Sequence, residues 1–473
     1  MTRRLIVTLL FVCVLLAGGG EAIAEASNPA APLRVLIDVR SNHSDGEHDF
    51  PTLAELAKKR GIDVLAFTEH DRYSIRLGLE PIPQIIGYAM QHPSLYVTGV
   101  DKFFNDLATI REQHPEMIFM AGTESTPGYT WTGIPFHDLT LVNAERHIIA
   151  LGAENSEQIE ALPSFDLRHA HGPFTLSMIV WWVVAGILFI VLIRKRQEVI
   201  AVLLFVLFIA LMATWLTRED VDIDADFITK AEEQGMYTIF THPGTLSGIR
   251  PGPFGIELDT PPYSERAFKD PTSQAFAAVY GDTDVNTVPG GLWDNYLIEY
   301  MGGVHASPIW ATSCGDFHKE AQWGEYLGNF PMDVWAEEKS PEGVLKALRA
   351  GRAVAWRAPV GRDFRVRTLY LQDDATGQRV LPGGAATISS GTTLNFTVDV
   401  MPHGKLAAKA LLKKPMQARL IIDGRVVKVL SFFLDTPLQE KLFLPLGPHV
   451  VRLDIPDQSG IKMIANPFLV DVN

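Results

Sequence analysis

Histidines and carboxylates recur in this sequence at the ends of short apolar runs. Leu33–Val39 contains Asp38 and leads to Arg40 and Asp45. Asp63–Thr68 leads to Glu69-His70, and Met117–Gly122 leads to Glu124. His137 stands just ahead of Asp138–Val142, and His242 follows Tyr237–Thr241. Phe254–Leu258 carries Glu257 with Asp259 beside it, and Pro308–Ser313 leads to Asp316 and His318. One histidine beside a strand is ordinary. Four of them, with several carboxylates, at the same edge of successive strands form a metal-ligand set. Imidazole with carboxylate suits zinc, manganese or iron better than an ion that takes oxygen ligands alone. Such an ion lowers the pKa of bound water and stabilises charge on phosphoryl or carbonyl oxygens, so the chemistry indicated is hydrolysis.

The elements that carry these residues alternate. Helical patterns separate several of the apolar runs: Thr52–Arg60 closed by Gly61, Asp222–Gln234 closed by Gly235, and Pro341–Arg349 behind Ser340 as N-cap. Apolar strands alternating with helices imply a parallel sheet, since parallel neighbours need crossover connections. Seven such strands would make a barrel, with chemistry gathered at the C-terminal ends of its strands.

The order of short motifs resembles the PHP (polymerase and histidinol phosphatase) family of metal-dependent phosphoesterases. The resemblance is carried by Ser44-Asp45-Gly46, Thr68-Glu69-His70-Asp71, Gly122-Thr123-Glu124, Thr241-His242-Pro243, Gly255-Ile256-Glu257 and Cys314-Gly315-Asp316-Phe317-His318. It spans residues 33–355 and implies a distorted (β/α)7 barrel. It also implies a shared site in which Glu124, His137 and His242 hold one metal ion and Asp45, His70 and His318 another. Asp316 belongs with the remaining position, which Glu124 would bridge. Two divalent transition metal ions, zinc, manganese or iron, are therefore expected per chain. The resemblance breaks where such sequences open with His-x-His, because Asp38 and Arg40 hold those places. Asp38 can still ligate a metal. Arg40 cannot, since a guanidinium offers no lone pair. Arg40 is expected either to clamp a substrate phosphate, making it catalytic with Asp316, or to fill the vacated metal position as a fixed charge. A site that has lost catalysis and only binds is the competing expectation, as is hydrolysis of a non-phosphate ester or amide.

The balance of 55 Asp+Glu against 41 Lys+Arg argues against a nucleic-acid partner, which needs a basic face. Cys13 and Cys314 are the two cysteines, one within the N-terminal leader, so no disulfide is expected in the mature chain. Residues 1–24 read as a signal peptide: Arg3-Arg4, an apolar stretch to Ala17, then Ala22-Ile23-Ala24. Phe174–Ile193 and Val199–Leu216 are nearly unbroken apolar runs around Arg194-Lys195-Arg196. They are expected to form a transmembrane hairpin over 174–216, interrupting the barrel, with Arg194–Glu198 as a short cytoplasmic turn. That topology would place the barrel and the C-terminal region on the periplasmic or extracellular side of the cell membrane. The substrate would then be a phosphorylated small molecule or envelope component. Short alternating runs after residue 356 are expected to form an all-β sandwich over 356–473.

Overall fold

The computed structural model describes residues 31–473 apart from 73, 79–86, 134–136, 164–173, 217–221, 245–247, 253–254, 271, 281–284, 323–324, 360–362 and 402–404. The signal peptide expected at residues 1–24 lies outside the described residues.

The first strand, β1 (Leu33–Val39), is buried along its whole length, as its continuous apolar character requires of a central strand. It is followed by α1 (Phe50–Lys59), capped by Asp49, whose carboxylate accepts from Thr52 N at 3.0 Å. Next come β2 (Val64–His70), α2 (Val100–Gln113), β3 (Ile118–Ser125) and β4 (Ile148–Ala153). A helical hairpin, α3 (Phe174–Arg194) and α4 (Glu198–Leu216), separates β4 from α5 (Ile223–Glu233) and β5 (Tyr237–Phe240). The order continues through β6 (Ala275–Val279), α6 (Leu292–Met301), β7 (Trp310–Ser313), β8 (Met332–Val334), α7 (Pro341–Arg349) and β9 (Ala353–Arg357).

The strands pair in the order β7-β6-β5-β4-β3-β2-β1. The chain just beyond β7 then returns to β1: Val39 and Phe317 form a parallel bridge, and Arg40 N donates to Phe317 O at 2.9 Å. The ring is therefore closed. Its strands run parallel except β4, which is antiparallel to both neighbours. Between β2 and β3 the register runs unbroken from Val64 opposite Ile118 to His70 opposite Glu124. That register sets two candidate ligands side by side. The interior is packed by Val35, Leu65, Phe67, Phe119, Ile149 and Phe276, with α1 contributing Phe50, stacked on Phe67 at 4.0 Å between ring centroids.

Two of the seven expected strands are not in this ring. Thr140–Val142 and Glu257–Asp259 pair with each other in a separate four-stranded sheet with Thr130–Thr132 and Arg250–Pro251. That sheet has a small core of its own, including Ile75, Trp131, Leu141 and Ile256. The vacated ring positions belong to β4 and β6. The physical reason is burial: β6 is buried throughout and β4 nearly so, whereas Glu257–Asp259 is only half-buried and mixed in polarity.

The expectation of a transmembrane hairpin is also corrected. The helices form and Arg194–Gln197 turns between them, with Lys195 N bonded to Val191 O. Among the described residues, however, no helix is long and apolar enough to cross a membrane.

The C-terminal strands expected over 356–473 are hydrogen-bonded in continuity with the ring's sheet. β8 and β9 extend the ring's own sheet from β1 into Ile461–Ala465, Gly447–Gln458, Met416–Ile422 and Arg425–Phe432. A four-stranded sheet of Arg379–Val380, Phe364–Asp373, Gly391–Val400 and Leu438–Phe443 packs with these strands around a second core, distinct from the ring's, that includes Trp356, Phe364, Phe396 and Leu453. Asp333 on β8 fastens the two regions. Fully buried, it accepts from Arg34 Nε at 3.1 Å, Trp356 Nε1 at 2.8 Å and Val366 N at 2.8 Å. Asp333→Ala would leave the Arg34 charge buried without its carboxylate, a loss of about 3 kcal/mol. Urea unfolding should show that loss in one transition shared by barrel and C-terminal strands. Two resolved transitions would contradict the shared sheet.

Candidate metal centre

The first group of donors is Asp45, His70 and His318, whose ligand atoms all lie within 4.8 Å of one another. Asp45 is aimed by a tight loop. Ser44 N and Gly46 N both donate to Ser41 O, at 3.1 and 2.9 Å. A side chain at Gly46 would put Cβ 2.4 Å from Arg40 O, so the loop closes only on glycine. Beneath it Glu69, fully buried, accepts from Ser41 N at 3.0 Å, Ser41 Oγ at 2.6 Å and Ser44 Oγ. His70 Nδ1 lies 3.2 Å from Glu124 O, and His318 Nδ1 lies 3.0 Å from Asp316 O. A carbonyl only accepts, so each ring donates from Nδ1, which fixes its orientation and turns Nε2 towards the first carboxylate. Those two Nε2 atoms face Asp45 Oδ2, at 3.5 Å from His70 and 3.2 Å from His318.

The second group centres on Glu124. His147 Nδ1 is 3.1 Å and His70 Nδ1 3.9 Å from Glu124 Oε2, and His242 Nε2 is 3.7 Å from Oε1. Glu124 Oε1 is buried and has no hydrogen-bond partner. An oxygen left in that state among imidazoles fits a metal ligand. The residues present therefore suit divalent ions at both groups, with imidazole and carboxylate in the proportions transition metals favour.

Arg40 and Asp38 sit behind these groups. Arg40 is fully buried; its guanidinium hydrogen-bonds Glu124 and the Thr68 carbonyl, and lies 2.9 Å from Asp38 Oδ1 and 3.8 Å from Asp45 Oδ1. The clamp role is thereby corrected: a side chain with no exposure does not reach a substrate. Asp38, expected as a metal ligand, is occupied as well. Its Oδ1 accepts from Thr68 Oγ1 at 2.9 Å, and its Oδ2 from Asp316 N at 3.0 Å and from the Cys314 thiol. Asp316 turns its Oδ2 to the Tyr280 hydroxyl at 2.7 Å. Asp38, His242 and Asp316 all adopt left-handed backbone, with φ of 71°, 32° and 42°. Such conformations cost about 1–3 kcal/mol each and persist where the surroundings over-determine them.

His137 is not brought to the cluster. Its side chain is 80% exposed, beside Asp138 in the turn before Thr140–Val142. His147 stands where His137 was expected. The reason is the same that moved the strand: the ring position belongs to β4, and His147 immediately precedes it. Tyr263 and Tyr280 were also missed. Tyr263 donates to the Thr241 carbonyl, and its oxygen is 3.4 Å from His242 Nδ1. Nothing in the spacing of the two tyrosines marks them out in advance.

Burial alone would raise the Asp45 carboxyl, but hydrogen bonds from His318 and His70 and the nearby Arg40 charge hold it well below the usual carboxylate range. Burial opposes ionisation of Glu124 too, and Arg40 and His147 overcome it. For His147, burial wins over Glu124 and lowers the imidazole below its ordinary value. For His318, burial lowers and the Asp45 hydrogen bond and Asp316 charge raise, leaving it pushed up to about 9.

No family model matches the chain, and no curated protein matches it. Among solved structures it is similar to a two-domain protein from Bacteroides vulgatus containing a predicted PHP-like metal-dependent phosphoesterase. The identity is 12% and the TM-score 0.37, over 95% of this chain and 98% of that one. A protein from Bifidobacterium adolescentis, assigned as a metal-dependent phosphoesterase, matches at 12% identity and TM-score 0.31 over 68% of this chain and 96% of that one. An amidohydrolase from Chromobacterium violaceum with bound sulfate and no metal matches at 12% and 0.27, over 60% and 87%. At these scores the likenesses decide nothing about chemistry, which rests on the side chains.

The raised His318 has a pH consequence. In the metal-free protein its imidazolium contributes stability that is fully present below the ordinary value of 6.5 and is lost as the pH rises through about 9. A metal ion requires the neutral ring, so affinity should climb across the same interval. Metal titrations and thermal melts between about pH 6 and pH 9 check both trends, and His318→Gln should flatten them.

Proposed function

We propose that this chain is a metal-dependent hydrolase of phosphate esters. The observation that carries the proposal is the pair of histidines, His70 and His318, each anchored through Nδ1 to a backbone carbonyl and each presenting Nε2 to Asp45. Side chains fixed in that way are prepared to receive an ion without reorganisation. Zinc, manganese or iron bound there, and at Glu124 with His147 and His242, would supply charge stabilisation and a more acidic water.

The chain's own groups do the rest. In hydrolysis the water oxygen bonds to phosphorus, the ester P–O bond breaks, and the alcohol leaves with a proton. Asp316 has Oδ2 committed to Tyr280, which leaves Oδ1 to accept the proton that water gives up. The lone pairs of Asp38 are spent within the protein, and Arg40 is out of reach, so neither handles substrate. A phosphorylated small molecule is the substrate class proposed.

Full-length protein loaded with manganese or zinc should hydrolyse an aryl phosphate monoester or diester. Asp45→Asn should lower kcat/KM on the order of a hundredfold, with the loss tracking metal affinity. Loaded protein that leaves both phosphate esters intact while cleaving an amide or carboxylic ester would overturn the phosphoesterase assignment and keep the hydrolase.

A further inference from the structure

Four carboxylates, Asp38, Asp45, Glu124 and Asp316, converge at the barrel mouth, and a guanidinium stands among them. Arg40 hydrogen-bonds Glu124, lies 2.9 Å from Asp38 and 3.8 Å from Asp45, and has no exposed surface. Its Nε is buried without a hydrogen-bond partner. A side chain kept there only to satisfy acceptors would not leave a donor unused, so its charge is the property in use.

We infer that Arg40 is a permanent cation built into the ligand cluster in place of a metal ion. Ions then load at Asp45–His70–His318 and at Glu124–His147–His242, and none loads at Asp38. The inference rests on the metal-dependent assignment above and sharpens it to a stoichiometry. Two features of the geometry support it. Asp38 has both oxygens engaged, Oδ1 by Thr68 and Arg40 and Oδ2 by Asp316 N and Cys314, so it offers no lone pair to an incoming ion. The charges also limit loading. Four carboxylates less one guanidinium leave three negative charges; one divalent ion brings the cluster to −1, a second to +1, and a third would reach +3 beside the fully buried Asp38. Unlike a metal, the guanidinium is not removed by a chelator and does not titrate in the working range. The inner end of the site therefore keeps its positive charge when the ions leave.

The test is metal content of the full chain, saturated with manganese and dialysed. Wild type should retain about two ions per chain. Arg40→Lys keeps the charge and should retain the same number. Arg40→His frees Asp38 and adds an imidazole, and should gain one further ion. Anomalous scattering from manganese-loaded wild-type crystals supplies a check that needs no variant: no peak should lie within coordination distance of Asp38. A peak there, three ions in wild type, or a folded Arg40→His protein with an unchanged count would overturn the inference. Wild type without ions, alongside an Arg40→His protein that binds one, would instead remove the hydrolase assignment and leave the role of Arg40 standing.

Discussion

The Asp38 carboxylate is where the barrel is tied shut. It sits near the end of β1 and receives hydrogen bonds from Thr68 on β2 and from Cys314 and the Asp316 amide just past β7. One buried side chain thus joins the first strand to both of its neighbours in the ring, at the level where the ligands emerge. Because a buried charge is costly unless it is paired and hydrogen-bonded, the carboxylate needs the Arg40 charge beside it. That arginine then reaches Glu124, and Glu124 orders the histidines. Closure of the fold and arrangement of the site are two results of one network. The left-handed backbone at Asp38 and Asp316 is the strain that the network holds in place.

How much of this is legible in the sequence depends on which way each strand runs. β1, β2, β3, β5 and β7 are apolar runs that finish on or near a polar residue, and both the strands and their ligands can be read directly. β4 is reversed, so its ligand, His147, precedes the apolar run instead of following it. A search for polar residues at strand ends passes over that run and settles on His137, which has the expected order along the chain but lies on an exposed turn. β6 was passed over too, although Tyr280 at its end holds Asp316. Asp38 shows another limit. Its identity and position fit a ligand, and only the geometry reveals that its lone pairs are already taken. Arg40 is the opposite case: the impossibility of ligation follows from its chemistry alone, while its burial does not.

Local rules did better wherever the interactions are local. The cap of α7, Ser340, accepts the Gly343 amide as its residue type and the following proline foretell. The C-terminal strands were legible as strands, but not as an extension of the ring's sheet. That continuity depends on β8 pairing with β1 as well as with β9, and the contact with β1 spans some three hundred residues that no local pattern encodes.

The reversed strand has a further consequence for how the chain tolerates growth. Running against its neighbours, β4 starts at the ligand end, with Ile148 opposite Ser125, and finishes at the other end, with Ala153 opposite Ala121. The next ring strand must also start from that far end, yet α5 precedes it and begins near the ligands, where Asp224 meets Arg146 at 2.9 Å. The connection is thus obliged to travel the height of the barrel before α5 can begin. A stretch that already has so far to go can be lengthened at little extra entropic cost, since the penalty grows only with the logarithm of loop length. The helical hairpin of α3 and α4 lies in that stretch, where added chain length costs the fold little.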